Sequence, residues 1–380
     1  MNINRAALLL SLGLLLNGCA AKQEVSQQEI SHVDVFTSGH DGFHTYRIPA
    51  VETAPDGSVL VFTEARKYNR HDPGTHGNDI DLVYKRSTDA GKTWSEMRVL
   101  DDPGERWASC NPVTLLDRTT NRVWLFHNRT QPDRSSSSAR VGTDDSQAWA
   151  RYSQDNGLTW SEPVDLTGIA RDVEHWGSSF FGPGGAIQNA RGRLIVPVSQ
   201  TTGRGDGDDR STPSTWTAFA IYSDDHGETW TRGQLASSTS SENQLVELAD
   251  GNLLMDARQD KGPTRWIFLS SDGGQTWSSP RTGQVVPPIA SGIERYSLAK
   301  AGDDRNRILW TGPKGPGRQT LVLRVSYDEG LTFTNERVIS EEKAAYSDIT
   351  LLPDRSIGVI WERGGYAFLT FTRFDLGFAE

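Results

Sequence analysis

Sulfur is scarce in this chain: its 380 residues include two cysteines, Cys19 and Cys110, and three methionines. Cys19 closes an apolar leader, so Cys110 has no partner in the folded part; a disulfide framework is excluded and stability rests on the packed core. No His/Cys cluster at ligand spacing is present, and no metal or other cofactor is called for. Basic residues are outnumbered, 39 Lys and Arg against 49 Asp and Glu, and the formal net charge of −10 argues against a nucleic-acid partner. Beyond the leader, apolar residues nowhere keep helical spacing for long. What remains is an all-β chain.

The leader itself, MNINRAALLLSLGLLLNGC at 1–19, has one Arg, an apolar run from Ala6 to Leu16 and the ending Leu-Asn-Gly-Cys. It reads as a secretion signal, too short to span a membrane as a mature helix. The ending resembles a bacterial lipoprotein cleavage site, with Cys19 as the lipid-bearing residue and 20–32 as a flexible tether to the folded domain at 33–380. A plain cleaved signal with Cys19 incidental is the alternative. On the first reading the protein is exported and held on a membrane of a bacterial envelope.

Glycine (37) and tryptophan (12) are plentiful, and they fall in a unit that recurs six times. An apolar strand, a tight turn and a second apolar strand appear at 48–66, 111–129, 184–200, 242–258, 296–314 and 346–363. A third strand follows each copy. Behind the first five comes a box: STDAGKTW at 87, SQDNGLTW at 153, SDDHGETW at 223, SSDGGQTW at 270 and SYDEGLTF at 326. With a fourth strand such as MRVL or ERVI, each unit is a four-stranded antiparallel meander, and the whole is predicted to be a six-bladed β-propeller. The sixth unit ends at FDLGFAE without room for a fourth strand, whereas HVDVFTSG at 32–39 has no partner. The N-terminal strand is therefore expected to close the ring.

In an up-and-down blade, the start of strand 1, the end of strand 2 and the start of strand 3 share one face, while the boxes lie on the other. The boxes then have a structural task, with Asp and Ser/Thr bonding turn backbone, Gly relieving a left-handed position and Trp plugging between strands. The first face gathers the long polar loops 67–79, 130–145 and 201–215, a pattern that marks a binding mouth. The strand ends there are Arg47, Arg66, Glu242, Arg258, Arg318, Tyr346 and Glu362. Several Arg converging on one axis of an acidic protein point to an anionic ligand, and a carboxylate matches the guanidinium fork. The aromatics Trp107, Trp176, Phe180 and Phe181 fit either the mouth or the packing between blades.

YRIPA at 46–50, the five boxes, ENQLVELADGNLLMDAR at 242–258 and AYSDITLL at 345–352 resemble the exo-α-sialidases, six-bladed propellers that remove terminal sialic acid from glycoconjugates. The likeness runs from about Asp34 to Phe374. It implies that Arg47, Arg258 and Arg318 grip the sugar carboxylate, that Glu362 orients Arg47 and that Arg66 stands at the pocket wall. It also implies Tyr346 as nucleophile and Glu242 as its base. Glu242 is preferred to Glu247, which lies an odd number of positions further along the strand and faces the other way. Sialic acid carries its carboxylate on the anomeric carbon, so an Asp or Glu nucleophile would approach against like charge; a phenol does not, and sialidases are exceptions to the two-carboxylate scheme of glycosidases. A phenol needs a neighbouring base to attack near neutral pH. Asp72 is the expected acid/base, with Asp79 its rival because HDPGTHGNDIDL carries extra residues between them. A sialic-acid-binding propeller without catalysis, a trans-sialidase and a glycosidase for another nonulosonic acid are the competing readings. A monomer is expected.

Overall fold

The computed structural model describes residues 30–202, 215–259 and 262–380. The leader 1–19 with Cys19, the tether up to residue 29 and most of the loop 201–215 lie outside the described residues.

Three sheets are plain four-stranded meanders. One runs Asn243–Glu247, Leu253–Arg258, Thr264–Ser270 and Arg281–Val285, and a second runs Gly292–Ser297, Arg307–Pro313, Leu321–Ser326 and Thr334–Ser340. The third runs Ala344–Leu351, Ile357–Arg363 and Phe368–Phe374, and its outer position is taken by Ser31–Thr37 from the opposite end of the chain. That N-terminal strand pairs antiparallel from Ser31 opposite Arg373 to Thr37 opposite Phe368, and Asp34 fastens it by accepting from Arg363 at 2.7 Å and from Thr370 Oγ1 at 2.6 Å. A nine-stranded sheet contains two meanders, the first beginning at Thr45–Thr53 and the second at Ala108–Asp117, joined by a single parallel pairing of Ile80 with Ala108. The first strands of successive meanders pack on one another around a common axis, which is the arrangement of a β-propeller. Helix is limited to the single turns Thr167–Ala170 and Leu376–Ala379 and one 3₁₀ turn among the described residues.

Two units differ from the sequence expectation. In the third, the first strand is broken into Ser178–Phe181 and Ile187–Gln188, both paired with Leu194–Thr201, because GPGG at 182–185 lets Gly184–Gly185 cross to Val113 and Thr114 of the neighbouring meander. Gly184 has φ +110°, and a Cβ there would fall 1.8 Å from the amide nitrogen of Gln244, so only glycine permits the approach. In the fifth, the first strand is Gly292–Ser297, several residues before the expected start at Tyr296, and the expected strand residues Ala299–Ala301 form the 3₁₀ turn, closed by Gly302 at φ +102°.

The boxes are latches between units. In the first, Ser87 Oγ accepts the Gly91 N–H at 2.9 Å, and Asp89 accepts from the Thr93 N–H at 2.9 Å and the Thr93 hydroxyl at 2.6 Å. The Thr93 hydroxyl, followed by its N–H, pulls the Asp89 carboxyl down to about 2. Each box glycine then lies against the preceding unit: a methyl group on Gly157 would meet Leu60 at 2.7 Å, on Gly227 Trp124 at 2.3 Å, and on Gly330 Leu254 at 2.6 Å. For Gly91 the contact is Phe371 at 2.2 Å, whose ring also fills the place left by the missing side chain of Gly358. Close packing between sheets thus depends on a residue without a Cβ in four of the five boxes, while in the fourth a methyl on Gly274 would meet Ile195 at 3.3 Å.

Candidate active site

The site is assembled on breaks in the inner strands. Thr45–Thr53 loses register between Arg47 and Ala50, where Pro49 supplies no N–H to the ladder and Ile48 takes φ +60°, a rare conformation for a β-branched residue. Ala108–Asp117 repeats the device at Asn111-Pro112, with Asn111 at φ +53°. In each case the exposed backbone N–H is taken by a side chain near the end of the previous unit's second strand: Ile48 N–H by Glu362 at 2.9 Å and Asn111 N–H by Glu64 at 3.0 Å. Asn128 does the same for the Phe181 N–H at 2.7 Å. A structural clasp between units thus doubles, at Glu362, as the support of the site.

Glu362 is 1% exposed and fully used. It accepts from Arg47 Nε at 2.9 Å and Nη2 at 3.2 Å, and from the Tyr346 N–H at 3.1 Å, so one carboxylate fixes both the guanidinium of Arg47 and the backbone of Tyr346. Tyr346 itself lies in a register break of Ala344–Leu351, between Ala344 and Ser347. Its phenol donates to Glu242 Oε1, while Arg258 Nη1 donates to Glu242 Oε2 at 2.7 Å and to the phenol oxygen at 3.2 Å. Burial, then the Glu242 charge, pushes the Tyr346 phenol above its ordinary pKa, opposed by Arg258, Arg47 and Arg318. The resting phenol is neutral.

Asp72 stands at the mouth with its side chain 76% exposed. Its Oδ1 lies 3.2 Å from Arg66 Nη1 and 3.6 Å from Arg47 Nη1. Its neighbourhood opposes ionisation, yet Arg66 and then Arg47 hold its carboxyl below the ordinary range. The loop that carries it is clamped by Asn78, 1% exposed, whose amide donates to the carbonyls of Asn69 at 3.1 Å and His71 at 2.9 Å. Arg66 is spent on this loop and its own strand, donating to Glu64 at 2.6 Å, to the Arg70 carbonyl at 2.6 Å and to Asp72. Arg318, in the turn after Arg307–Pro313, donates to the phenol oxygen of Tyr366 at 2.6 Å.

These residues open onto one cavity of about 740 Å³, lined by Arg47, Arg66, Asp72, Glu242, Arg258, Arg318 and Tyr346, with Glu362 beneath Arg47. The size is in the range of small-molecule sites. Asp79 is outside the lining: its side chain faces the Arg106 N–H and Lys67. Glu247 is at the far end of Asn243–Glu247 from the cavity and accepts the Ala190 N–H.

The chain matches the BNR repeat-like domain over residues 57–359. A sialidase of Clostridium perfringens is 30% identical over 280 residues, which cover 71% of this chain and 70% of that protein. The chain belongs to the sialidase family. A sialidase of Micromonospora viridifaciens is 31% identical over 364 residues, 90% of this chain, and the chain spans 54% of that longer protein. The solved structure of Hadza microbial sialidase Hz136 superposes with a TM-score of 0.80 at 26% identity, covering 91% of this chain and 68% of that one.

Several lining residues of this sialidase-family site were not singled out from the sequence. Ser135, Ser136 and Ser137 make one polar wall, and Trp216 stands edge-to-face with Phe180, ring centroids 4.8 Å apart, on another. Of the four aromatics with two readings, Phe180 lines the cavity. Phe181 is in the core against Phe126, and Trp176 packs on Phe219 beneath Arg232. Trp107 is outside the lining. Cys110 reaches the cavity floor, but burial pushes its thiol far above the ordinary range. Tyr366, too, lines the cavity, and the glycine pair before it was the signal in the sequence for an unusual turn.

Proposed function

We propose that this chain is an exo-α-sialidase that hydrolyses terminal α-linked sialic acid from glycoproteins, glycolipids and oligosaccharides with retention, through a tyrosyl intermediate. The observation that carries this reading is the hydrogen-bonded pair of buried Tyr346 and half-buried Glu242, set among the guanidiniums of Arg47, Arg258 and Arg318. A site built only to bind the sugar has use for the arginines but none for a phenol pointed into a carboxylate.

In this mechanism the three arginines hold the sugar carboxylate and bring the anomeric carbon to the Tyr346 oxygen. Glu242 takes the phenol proton as the bond to the sugar forms, and Arg258, already donating to that oxygen, stabilises the charge that develops on it. Asp72 protonates the leaving oxygen and later draws a proton from the water that attacks the intermediate. In the free site Arg66 and Arg47 keep Asp72 ionised. A bound carboxylate cancels much of their pull and the aglycone removes water, so the same carboxyl is driven toward its acid form when substrate arrives.

The propeller has six blades in this reading. The box latches support it, because they run from each unit to the one before and pass from the first unit to the last through Gly91 and Phe371. Cys19 carries the lipid that tethers the domain, as a monomer, to a membrane of a bacterial envelope. The test of activity is release of a fluorogenic aglycone from an α-linked N-acetylneuraminic acid conjugate by residues 20–380, beside the Tyr346→Phe variant. Turnover by the first and its near-complete loss in the second are expected; a folded protein that binds the conjugate without turnover would make it a lectin.

A further inference from the structure

Strands Ile357–Arg363 and Phe368–Phe374 are joined by a turn in which Gly364, Gly365 and Tyr366 follow one another at φ +63°, +67° and +78°. Two glycines take this conformation at little cost, whereas a bulky aromatic residue there is strained. Such strain persists where the surroundings over-determine it, and it collects at functional sites.

The surroundings of Tyr366 do determine it. Its carbonyl accepts from Ser38 Oγ at 2.7 Å, in the segment that follows the N-terminal strand. Its ring lies 4.3 Å from Cζ of Arg47, and its phenol oxygen accepts from Arg318 Nη1 at 2.6 Å. One side chain therefore touches two of the three arginines, from a turn that bends it into the cavity.

The charges around these arginines are unequal. Arg47 is paired with Glu362 and Arg258 with Glu242, but among the described residues no carboxylate lies within ion-pair distance of Arg318. Arg318 is therefore the least neutralised of the three, with Asp72 acting on it only at longer range, and it is oriented by a neutral acceptor. A carboxylate in place of the phenol would orient the guanidinium equally well but would compete with a ligand for its charge. A phenol fixes direction and leaves the charge available.

We infer that Tyr366 is a positioning residue of the anion clamp, holding Arg318 by its hydroxyl and Arg47 by its ring so that both present free donor edges to a single ligand carboxylate. This rests on the sialoside reading of the site.

Two variants test it: Tyr366→Gly, which removes both contacts and the strain, and Tyr366→Phe, which keeps the ring over Arg47 and removes the bond to Arg318. The measurements are thermal unfolding without ligand, KM and kcat on an α-sialoside, and Kd for 2-deoxy-2,3-didehydro-N-acetylneuraminic acid and for its methyl ester. Tyr366→Gly is expected to unfold at the wild-type temperature or above it, yet to raise KM and the Kd of the free acid about tenfold, with kcat changed less. Tyr366→Phe should raise both about threefold to fivefold. Neither variant should alter the already weak affinity for the ester, which offers the clamp no charge. Wild-type affinity for the acid in both variants overturns the inference, and so does a Tyr366→Gly protein that loses thermal stability and activity in parallel, since that is the behaviour of a residue needed only for folding. A wild type that neither binds the acid nor cleaves a sialoside overturns the sialoside reading itself, whatever the variants do.

Discussion

The phenol of Tyr346 and the carboxylate of Glu242 come from different units of the propeller and meet in a hydrogen bond in the lining of the cavity, with Arg258 bonded to both. The carboxylate is thus already in place to receive the phenol proton. Glu242→Gln keeps the shape and an acceptor oxygen but removes the basicity. It is expected to lower kcat by about 10²–10⁴-fold while KM changes much less. Steady-state kinetics decide; a kcat within a factor of about three of wild type would remove Glu242 from the role of base.

Asp72 and Asn78 act in sequence, because the Asn78 amide holds the loop that presents the Asp72 carboxyl. A weakened or displaced general acid matters most when the leaving group is a sugar alcohol and least when it is a phenol that departs unaided. Asp72→Ala should therefore reduce turnover of a sialyl-oligosaccharide about 10²–10³-fold, and of an aryl sialoside far less. Asn78→Ala should show the same leaving-group dependence at about a tenth of the size. Equal losses on both substrates for Asp72→Ala would transfer the acid role elsewhere.

The repeat was legible because it rests on backbone requirements that only certain residues meet: a Gly at a left-handed position, a Ser and an Asp that bond the turn, alternating apolar strands. The ring-closing strand could be read from a count of strands at the two ends. Arg47, Glu242, Arg258, Tyr346 and Glu362 were legible as strand ends on one face, whereas what joins them, the break at Ile48-Pro49 and the clasp by Glu362, is a contact between opposite ends of the chain that no local pattern records. Less legible were features set by contacts between units. The split strand at Gly184 depends on Gln244, far along the chain, and Gly292–Ser297 begins before the run at Tyr296 from which the strand was read. Trp216 and Ser135–Ser137 lie in or beside long loops, where no periodicity tells which way a side chain points.

The latch at Gly91 gives a stability prediction apart from catalysis. Gly91→Ala meets two obstacles, φ +84° and a Phe371 carbon 2.2 Å from the new methyl. Neither the rigid turn nor a ring packed over Gly358 has room to yield. A loss of roughly 2–4 kcal/mol is expected, read from denaturant unfolding. Gly192→Ala is the control, since Gly192 also has a left-handed φ of +90° but nothing within 4 Å of a new methyl. It should cost about 1 kcal/mol from backbone strain alone. Equal losses at the two positions would show that the contact with the neighbouring unit contributes nothing.

Around the axis, Glu52, Glu294 and Asp348 stand on the inner strands Thr45–Thr53, Gly292–Ser297 and Ala344–Leu351. Burial first, then the charges of Glu294 and Asp348, pushes Glu52 up to about 8; burial and Asp348 push Glu294 up to about 7; burial pushes Asp348 up to about 6. Arg118 offsets part of this at both glutamates. Because these pKa values are raised on folding, the folded state binds more protons than the unfolded chain between about pH 4 and 8. Stability from this cluster is therefore greatest at the acid end of that window and falls as the pH rises through it, by on the order of 1.4 kcal/mol for every tenfold gain in proton affinity that folding confers on a carboxyl. Glu52→Gln keeps the shape and never ionises. It should raise the unfolding temperature clearly at pH 9 and leave it nearly unchanged at pH 5, flattening the slope between them. If the variant and the wild type differed by the same amount at both pH values, Glu52 would not be held protonated in the folded protein, and the alkaline loss would have to arise elsewhere.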